Sequence, residues 1–329
     1  MKSFALILIP VVLGACQPAH HETSVFIPPA VPDFLPAIAY PEDNLPTRER
    51  IDLGRALFHD KRLSKDNKIS CATCHKPGMA MADNMPITPG VDGRLGLRNA
   101  PSIINTAWGE RFMMDGGVPT LELQALEPIH NADEMGEEIN ALAAKLSKDE
   151  RLANMALAAY GRPIDSFVII RALAAFQRTL ISSGSRYDDF ATYGKKYALS
   201  TEEIAGMELF FSEKTQCGTC HSGPFFTDRE FHNIGLYKRY ADTGRERVTM
   251  STADSGKFRT PSLRNVALTA PYMHNGSVPD LRATIEHFNS GGKGHSLQSE
   301  HILPLNLTEA EMASLEAFLN TLTDKKLPN

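Results

Sequence analysis

Four of the five cysteines in this 329-residue chain fall into two pentapeptides of the same form. In each, two cysteines are separated by two residues and a histidine follows the second. Two thiols at this spacing can reach the two vinyl groups of one haem, and the histidine then lies under the iron as proximal ligand. The pattern therefore predicts two covalent c-type haems. The pentapeptides are Cys71-Ala72-Thr73-Cys74-His75 and Cys217-Gly218-Thr219-Cys220-His221.

Two other sites built from such cysteine pairs fit less well. A four-cysteine zinc site has its pairs roughly 15–20 residues apart and needs no histidine after each pair. Here the pairs lie in opposite halves of the chain. A thioredoxin-like redox site needs neither the histidines nor a second copy. The fifth cysteine, Cys16, stands alone, so no pair remains for a structural disulfide.

The N-terminus has the pattern of an export signal. An apolar segment too short to span a bilayer ends in Leu13-Gly14-Ala15-Cys16, which resembles a bacterial lipobox. We expect residues 1–15 to be a lipoprotein signal peptide, Cys16 to carry a lipid, and residues 16–47 to form a proline-rich tether. An ordinary secretory signal with an incidental cysteine is the alternative. Both agree with haem attachment outside the cytoplasm, and Gln17 favours the outer membrane.

Composition excludes several classes of protein. The formal net charge is −5 and hydrophobic residues make up 42%. A nucleic-acid-binding protein usually carries a basic surface, so no nucleic-acid partner is expected. Beyond the signal no apolar run is long enough for a transmembrane helix, so the membrane is reached only through the lipid anchor.

A second repeat lies downstream of each cysteine motif. Arg98 to Asn105 is echoed by Arg259 to Asn265, and each copy leads to an Asp-Gly or Asn-Gly pair followed by Val-Pro. Such a match in both halves predicts an internal duplication. We place an N-terminal haem domain at residues 48–185 and a C-terminal one at residues 186–329.

The secondary-structure pattern is helical. We predict helices over Arg48 to Phe58 and over Ile164 to Leu180, the second from its apolar periodicity. Ser200 with Glu203, and Thr308 with Glu311, form capping boxes that predict two more helix starts. The predicted fold is all-α, with two c-type cytochrome domains and both haems near their interface.

Taken together, these motifs resemble the bacterial dihaem cytochrome c peroxidase family, including its MauG-type members. The family pairs a peroxide-reacting N-terminal haem with an electron-transferring C-terminal haem and a calcium ion between them. The resemblance implies reduction of hydrogen peroxide to water with electrons from a small periplasmic cytochrome c or copper protein. It rests on both haem motifs, Leu53-Gly54-Arg55-Ala56-Leu57-Phe58, Arg62-Leu63-Ser64, Arg98-Asn99-Ala100-Pro101-Ser102, Leu121-Glu122-Leu123-Gln124-Ala125, Glu134-Met135-Gly136 and the stretch from Leu263 to Gly276.

The resemblance assigns peroxide chemistry to the haem of His75. Glu134 would act as general acid–base and Gln124 would orient peroxide or water. From charge pattern alone, Glu134 reads instead as a solvated surface acid. Pro128 and Val91 occupy positions where relatives can close a haem with a ligand, and neither side chain binds iron. We therefore expect an open distal side at this haem.

Two positions depart from the family pattern. Met114 stands where members carry an interhaem tryptophan, and Phe288 stands where the second haem's sixth ligand, methionine or tyrosine, is usual. The second haem is therefore expected to be five-coordinate, water-bound, or held by a neighbour such as His287 or Met273. Trp108, the only tryptophan, is expected in the core or as a substitute electron relay.

The resemblance also implies a calcium ion held by the Asn99 side chain and the carbonyls of Thr269 and Pro271, a donor set of hard oxygens. A turn-forming role is the alternative for Asn99. Two alternative functions remain open: a MauG-type enzyme that oxidises residues of a partner protein, and a plain electron-transfer cytochrome. A homodimer is also left open.

Overall fold

The computed structural model describes residues 29–328, and helices dominate that part of the chain. Within it, β-structure is limited to one short antiparallel pair, β1 (Phe231–His232) and β2 (Phe258–Arg259), with a few isolated bridges. None of the helices there is long and apolar enough to cross a membrane. The α-helices are α1 (Arg48–Phe58), α2 (Cys71–Cys74), α3 (Leu121–Gln124), α4 (Leu126–His130), α5 (Ile139–Leu146), α6 (Glu150–Tyr160), α7 (Ser166–Gln177), α8 (Arg186–Ala191), α9 (Thr201–Phe210), α10 (Cys217–Cys220), α11 (Glu246–Thr249), α12 (Leu281–Asn289) and α13 (Glu309–Asn320). Short 3₁₀ turns lie at Glu42–Asn44, Lys61–Leu63, Pro77–Met79, Val91–Gly93, Thr106–Trp108, Thr252–Asp254 and Val266–Leu268.

Three of the four predicted helix starts are confirmed. Helix α1 has the predicted bounds, and Thr47 caps it. Both capping boxes form, so that Ser200 and Glu203 exchange hydrogen bonds at the start of α9, as Thr308 and Glu311 do at the start of α13. The helix predicted over Ile164 to Leu180 is shorter, because Asp165 accepts a hydrogen bond from the Val168 N–H and caps α7 there.

Each half is built around one pair of closely packed helices, α1 with α7 and α9 with α13. A methyl group added at Gly54 in α1 would lie 1.9 Å from the carbonyl oxygen of Ala172. A methyl group added at Gly206 in α9 would lie 1.8 Å from the carbonyl oxygen of Ser314. In both pairs the absence of a side chain lets the two backbones touch.

Buried polar contacts join the two halves. Arg98 pairs with Asp115 at 2.7 Å and with Asp242 at 2.6 Å. The Asn99 N–H donates to the carbonyl of His274 at 2.8 Å. These groups are largely removed from water, so breaking one partner leaves the other charge or dipole unpaired, at a cost larger than for a surface pair.

The segment that precedes α1 packs on the body from residue 29 onward. Leu35 is buried with Trp108 and Phe225 in a small apolar cluster. Asn44 is buried and donates to Glu122 at 2.9 Å. Of the predicted tether, residues 29–47 therefore belong to the folded body; residues 16–28, with Cys16, lie outside the described residues.

We expect Gly54→Ala to destabilise the protein by about 1–3 kcal/mol, the usual range for overpacking a tight core, because its methyl group must push α1 away from α7. Chemical denaturation of the haem-loaded protein measures the change. Gly78→Ala is the control, since a methyl group there meets no atom within 4 Å. Equal stability of both variants would contradict the packing described here.

Candidate functional site

Each cysteine motif forms a single helical turn that ends at its histidine. In α2, the His75 N–H donates to the Cys71 carbonyl at 2.9 Å, and in α10 the His221 N–H donates to the Cys217 carbonyl at 2.9 Å. One turn of helix places both cysteines of a pair beside the histidine that follows them. The four thiols are free, so no disulfide competes for them.

The histidine rings are fixed by backbone carbonyls. Nδ1 of His75 lies 2.9 Å from the Met81 carbonyl oxygen, and Nδ1 of His221 lies 2.9 Å from that of Phe226. A carbonyl only accepts, so each Nδ1 carries the proton and each Nε2 keeps a free lone pair. Burial lowers the pKa of both histidines, which keeps the rings neutral, as an iron ligand must be.

Serines of the second repeat hold the loops that carry these carbonyls. Ala80 and Met81 have φ of 50° and 58°, and Phe226 has φ of 52°, a left-handed conformation that is uncommon outside glycine. The Ser102 hydroxyl donates to the Ala80 carbonyl at 2.6 Å, and the Ser262 hydroxyl donates to the Phe225 carbonyl at 2.7 Å. Each Pro-Ser motif thus braces the loop that orients a histidine.

A cavity of about 600 Å³ adjoins the second motif. A volume of this order suits a bound organic ligand. Its walls are mostly apolar and include residues of both halves, among them Trp108 and Met114 from the first. Free paired thiols, a neutral histidine with its outer nitrogen free and this cavity together fit a covalently attached haem. The lining residues from the motif and its surroundings include Cys217, Cys220, His221, Met273, His274 and Phe288.

The structure distinguishes between His287 and Met273, the two candidates for a sixth ligand at the second motif. Phe288 lines the cavity, and a phenyl ring cannot bind iron. Nε2 of His287 lies 3.0 Å from the Ile234 carbonyl oxygen, and His287 lines a different, smaller cavity. Met273 lines the haem-sized cavity and is the candidate that remains in place there.

Glu134 lies beside the first motif. It follows α4 in a tight turn, where its Oε1 accepts a hydrogen bond from Asn131 Nδ2 at 2.8 Å. Burial raises the pKa of Glu134, against that hydrogen bond, which lowers it. Burial, with smaller contributions from Asp83 and Glu134, raises the pKa of Cys74 to about 11, so the Glu134 charge reaches the cysteine. A solvated surface acid would have neither property.

Gln124 ends α3 and is partly buried. Its Nε2 lies 4.0 Å from the Met113 sulfur, at the limit for a weak hydrogen bond. No hydrogen bond joins Gln124 to Glu134 within residues 29–328. The short α3–α4 segment connects the two residues along the chain.

Val91 and Pro128 stand at the positions where relatives are expected to close a haem with a ligand. Here both residues have structural roles. Val91 is buried, and its N–H donates to the Glu134 carbonyl at 2.8 Å. Pro128 lies in α4, and its carbonyl accepts from the Met135 N–H at 3.1 Å. Both residues shape the turn that presents Glu134.

The three residues expected at a calcium ion lie on the wall of the same cavity as the second motif. Asn99 is buried, and its Nδ2 donates to the carbonyls of Met85 at 2.8 Å and Pro86 at 3.2 Å. These bonds use the nitrogen and leave Oδ1 as an acceptor. With the carbonyls of Thr269 and Pro271, that makes a set of neutral oxygen donors.

Two residues that line this cavity were not identified as site residues from the sequence. His274 stacks on Phe258, with ring centroids 4.0 Å apart, and burial lowers its pKa to about 4. Arg259 lines the cavity without a carboxylate partner. Both residues lie in the repeated segments. Nothing in the sequence alone distinguishes them from neighbouring residues that have only a structural role.

Comparison with known proteins agrees with this geometry. A family model described as di-haem cytochrome c peroxidase matches residues 48–196. MauG, the methylamine utilization protein of Methylorubrum extorquens, is 38% identical over 291 residues, which cover 87% of this chain and 81% of MauG. The cytochrome c peroxidase Ccp of Escherichia coli is 35% identical over 86% of this chain and 60% of its own length.

A solved structure is similar over the whole body. The crystal structure of a MauG-like protein associated with microbial copper homeostasis matches with a TM-score of 0.85 and 36% identity, covering 90% of this chain and 95% of that one. The chain belongs to the di-haem cytochrome c peroxidase family, whose members are haem-dependent oxidoreductases. The family implies two c-type haems, and the two motifs supply their attachment residues.

We expect two covalent haems per chain by pyridine haemochrome assay of denatured protein, because each motif offers two free thiols and a histidine. Cys217→Ala together with Cys220→Ala should leave one haem. Cys16→Ser is the control and should leave both in place. A single haem in the wild-type protein, or bound zinc, would be inconsistent with the site.

Proposed function

We propose that this protein is an exported dihaem peroxidase that reduces hydrogen peroxide to water at the haem of His75. A small periplasmic cytochrome c or cupredoxin would supply the electrons through the haem of His221. The observation that carries the proposal is Glu134, a partly buried carboxylate with a raised pKa beside the first motif. An electron-transfer cytochrome without turnover would have no use for such a group.

When bound, the haem held by Cys71, Cys74 and His75 would supply the electrons for cleavage of the O–O bond. Glu134 moves the proton. Its Oε1 is held by Asn131, so Oε2 would take a proton from one peroxide oxygen and return it to the other oxygen. That oxygen leaves as water. Gln124 can orient peroxide by hydrogen bonds from its amide.

Electron transfer between the two sites needs a route that does not depend on Met114, since a thioether is a poor relay. Trp108 lies against Phe225, with ring centroids 4.8 Å apart, and it lines the cavity at the second motif. Its Nε1 donates to the Pro36 carbonyl at 2.9 Å, which fixes the indole. We place Trp108 as a packed wall of the second site, with direct tunnelling between the haems.

Glu134→Gln should cut peroxide turnover by roughly 10²-fold or more, because it keeps the size of the side chain and removes the titrating group. Wild-type turnover should fall as pH falls through the raised pKa of Glu134, since the neutral carboxyl cannot accept a proton. This fall should be absent in Glu134→Gln. Stopped-flow turnover against pH, with haem content and ferric spectra as checks, measures both effects.

Glu127→Gln provides a matched control. Glu127 is exposed, and its charge helps to raise the pKa of Glu134. The variant makes the same chemical change nearby, so it should keep the turnover rate and shift the pH dependence toward lower pH. If Glu134→Gln turns over peroxide like the wild-type protein, Glu134 is a surface acid and the proposed mechanism fails.

Oxidation of a partner protein is the second candidate function. It is favoured by the names of two relatives, MauG itself and the MauG-like protein of known structure, which match over most of the chain. The open distal side expected at the first haem would suit both reactions. Peroxide turnover driven by reduced cytochrome c supports the first function, whereas a peroxide-dependent mass change in a co-purified protein supports the second.

We also propose a calcium ion at Asn99, Thr269 and Pro271. Since binding only to the folded state stabilises it by RT ln(1 + [L]/Kd), calcium at 100 times its Kd should add about 2.7 kcal/mol. Calorimetry should show a higher Tm with calcium than with a chelator, and Asn99→Ala should abolish the difference. Asn105→Ala is the control, because Asn105 is a buried asparagine that bonds Ser182 instead. An unchanged calcium response in Asn99→Ala would contradict the site.

The organisation of the chain belongs to the same proposal. We infer that the halves at residues 48–185 and 186–329 arose by duplication, with their haems near the interface. The paired glycine contacts and the paired Pro-Ser braces support this. The N-terminal sequence alone supports the proposals of export, a lipid at Cys16 and outer-membrane sorting. The proposed reaction does not require a homodimer.

A further inference from the structure

Arg259 lies in the wall of the cavity beside the second motif. Its side chain is a cation that has no anionic partner within the described residues. Arg259 ends β2. Its one side-chain hydrogen bond runs from Nε to the Met113 carbonyl at 3.5 Å, the outer limit for such a bond. In the described part of the chain, no carboxylate forms a salt bridge with it.

Most carboxylates nearby are already engaged by other side chains; Glu230, on the same cavity wall, is exposed and forms no ion pair within residues 29–328. The charge that acts on Arg259 is that of Arg229, another cation; burial and Arg229 together lower its pKa. A guanidinium stays protonated all the same. The engaged pairs are Asp115 and Asp242 with Arg98, Glu110 with Arg229, and Asp228 with His232.

Arg259 is only partly exposed, and a charge largely removed from water is costly unless an anion and hydrogen bonds compensate it. Haem brings two carboxylates, its propionates, and its thioether bonds at Cys217 and Cys220 hold the vinyl side of the ring. The propionates then project from the other side. We propose that Arg259 binds a propionate of the haem at the second motif, through the paired N–H groups that match a carboxylate. This inference rests on haem attachment there, as in the proposed function.

The contact has a consequence for the redox chemistry of the second site. An unpaired propionate charge stabilises ferric over ferrous iron, and a bound guanidinium cancels that effect. Arg259 therefore raises the reduction potential of the second haem. The Arg259 N–H also donates to the Met114 carbonyl at 2.8 Å, so the same residue ties this haem edge to the segment from the first half.

The test is a spectroelectrochemical titration of Arg259→Gln with both haems attached. We expect one of the two potentials to shift to a more negative value and the other to stay unchanged. The propionate bending band in the resonance Raman spectrum should shift as well. Arg259→Lys keeps the charge and loses the paired donors, so its potential should lie between those of wild type and Arg259→Gln.

Arg239→Gln is the matched control for net charge, because Arg239 is exposed and is not among the residues that line the cavity. It should leave both potentials unchanged. Two haems per chain by pyridine haemochrome establish that each variant is loaded, and peroxide turnover is not used, so failure of the peroxidase proposal leaves this test intact. Unchanged potentials and Raman bands in Arg259→Gln would overturn the inference. If that variant does not fold, an unchanged Arg259→Lys would overturn it equally.

Discussion

The hydrogen bond from each motif histidine to a backbone carbonyl is the constraint on which each half of the molecule depends. To return a carbonyl to His75 or His221, the chain must turn through left-handed residues, an arrangement that costs on the order of 1–3 kcal/mol per residue. Ser102 and Ser262 hold those turns, and the helix pairs α1–α7 and α9–α13 form the rigid base beside them. The repeated Pro-Ser segments are thus part of the haem site, and the backbones of Pro101 and Pro261 also interact with the two histidines.

The same support carries different chemistry in the two halves. In the first, the segment after Thr120 runs through α3 and α4 to a turn that presents Glu134 with a raised pKa. In the second, α12 continues for two turns and sets Phe288 on the cavity wall. A partly buried carboxylate therefore lies at one site, and a phenyl ring lies on the wall of the other. That division suits peroxide cleavage at the first site and electron storage at the second.

Local sequence patterns predicted the helices well. Contacts between distant segments could not be predicted from them. The start of α9 followed from Ser200 and Glu203, because a capping box is a property of four consecutive residues. The packing of residues 29–47 did not, since proline-rich composition is common to tethers and to extended segments on a surface. The placement of Glu134 came from family resemblance alone; its charge pattern pointed to the surface. No sequence signal marked Arg259, since its lack of a partner exists only in three dimensions.

Electrostatics gives the two sites opposite preferences. At Glu134, burial favours the protonated, neutral carboxyl, so the group exchanges a proton more readily near neutral pH than an exposed glutamate does. At the cavity beside the second motif, Asp242 and Glu110 are paired with other arginines, and Arg259 forms no salt bridge within the described residues. A spare cation favours the electron-rich state of whatever occupies the cavity. Under the proposed function, these preferences would favour proton transfer at the first site and electron storage at the second.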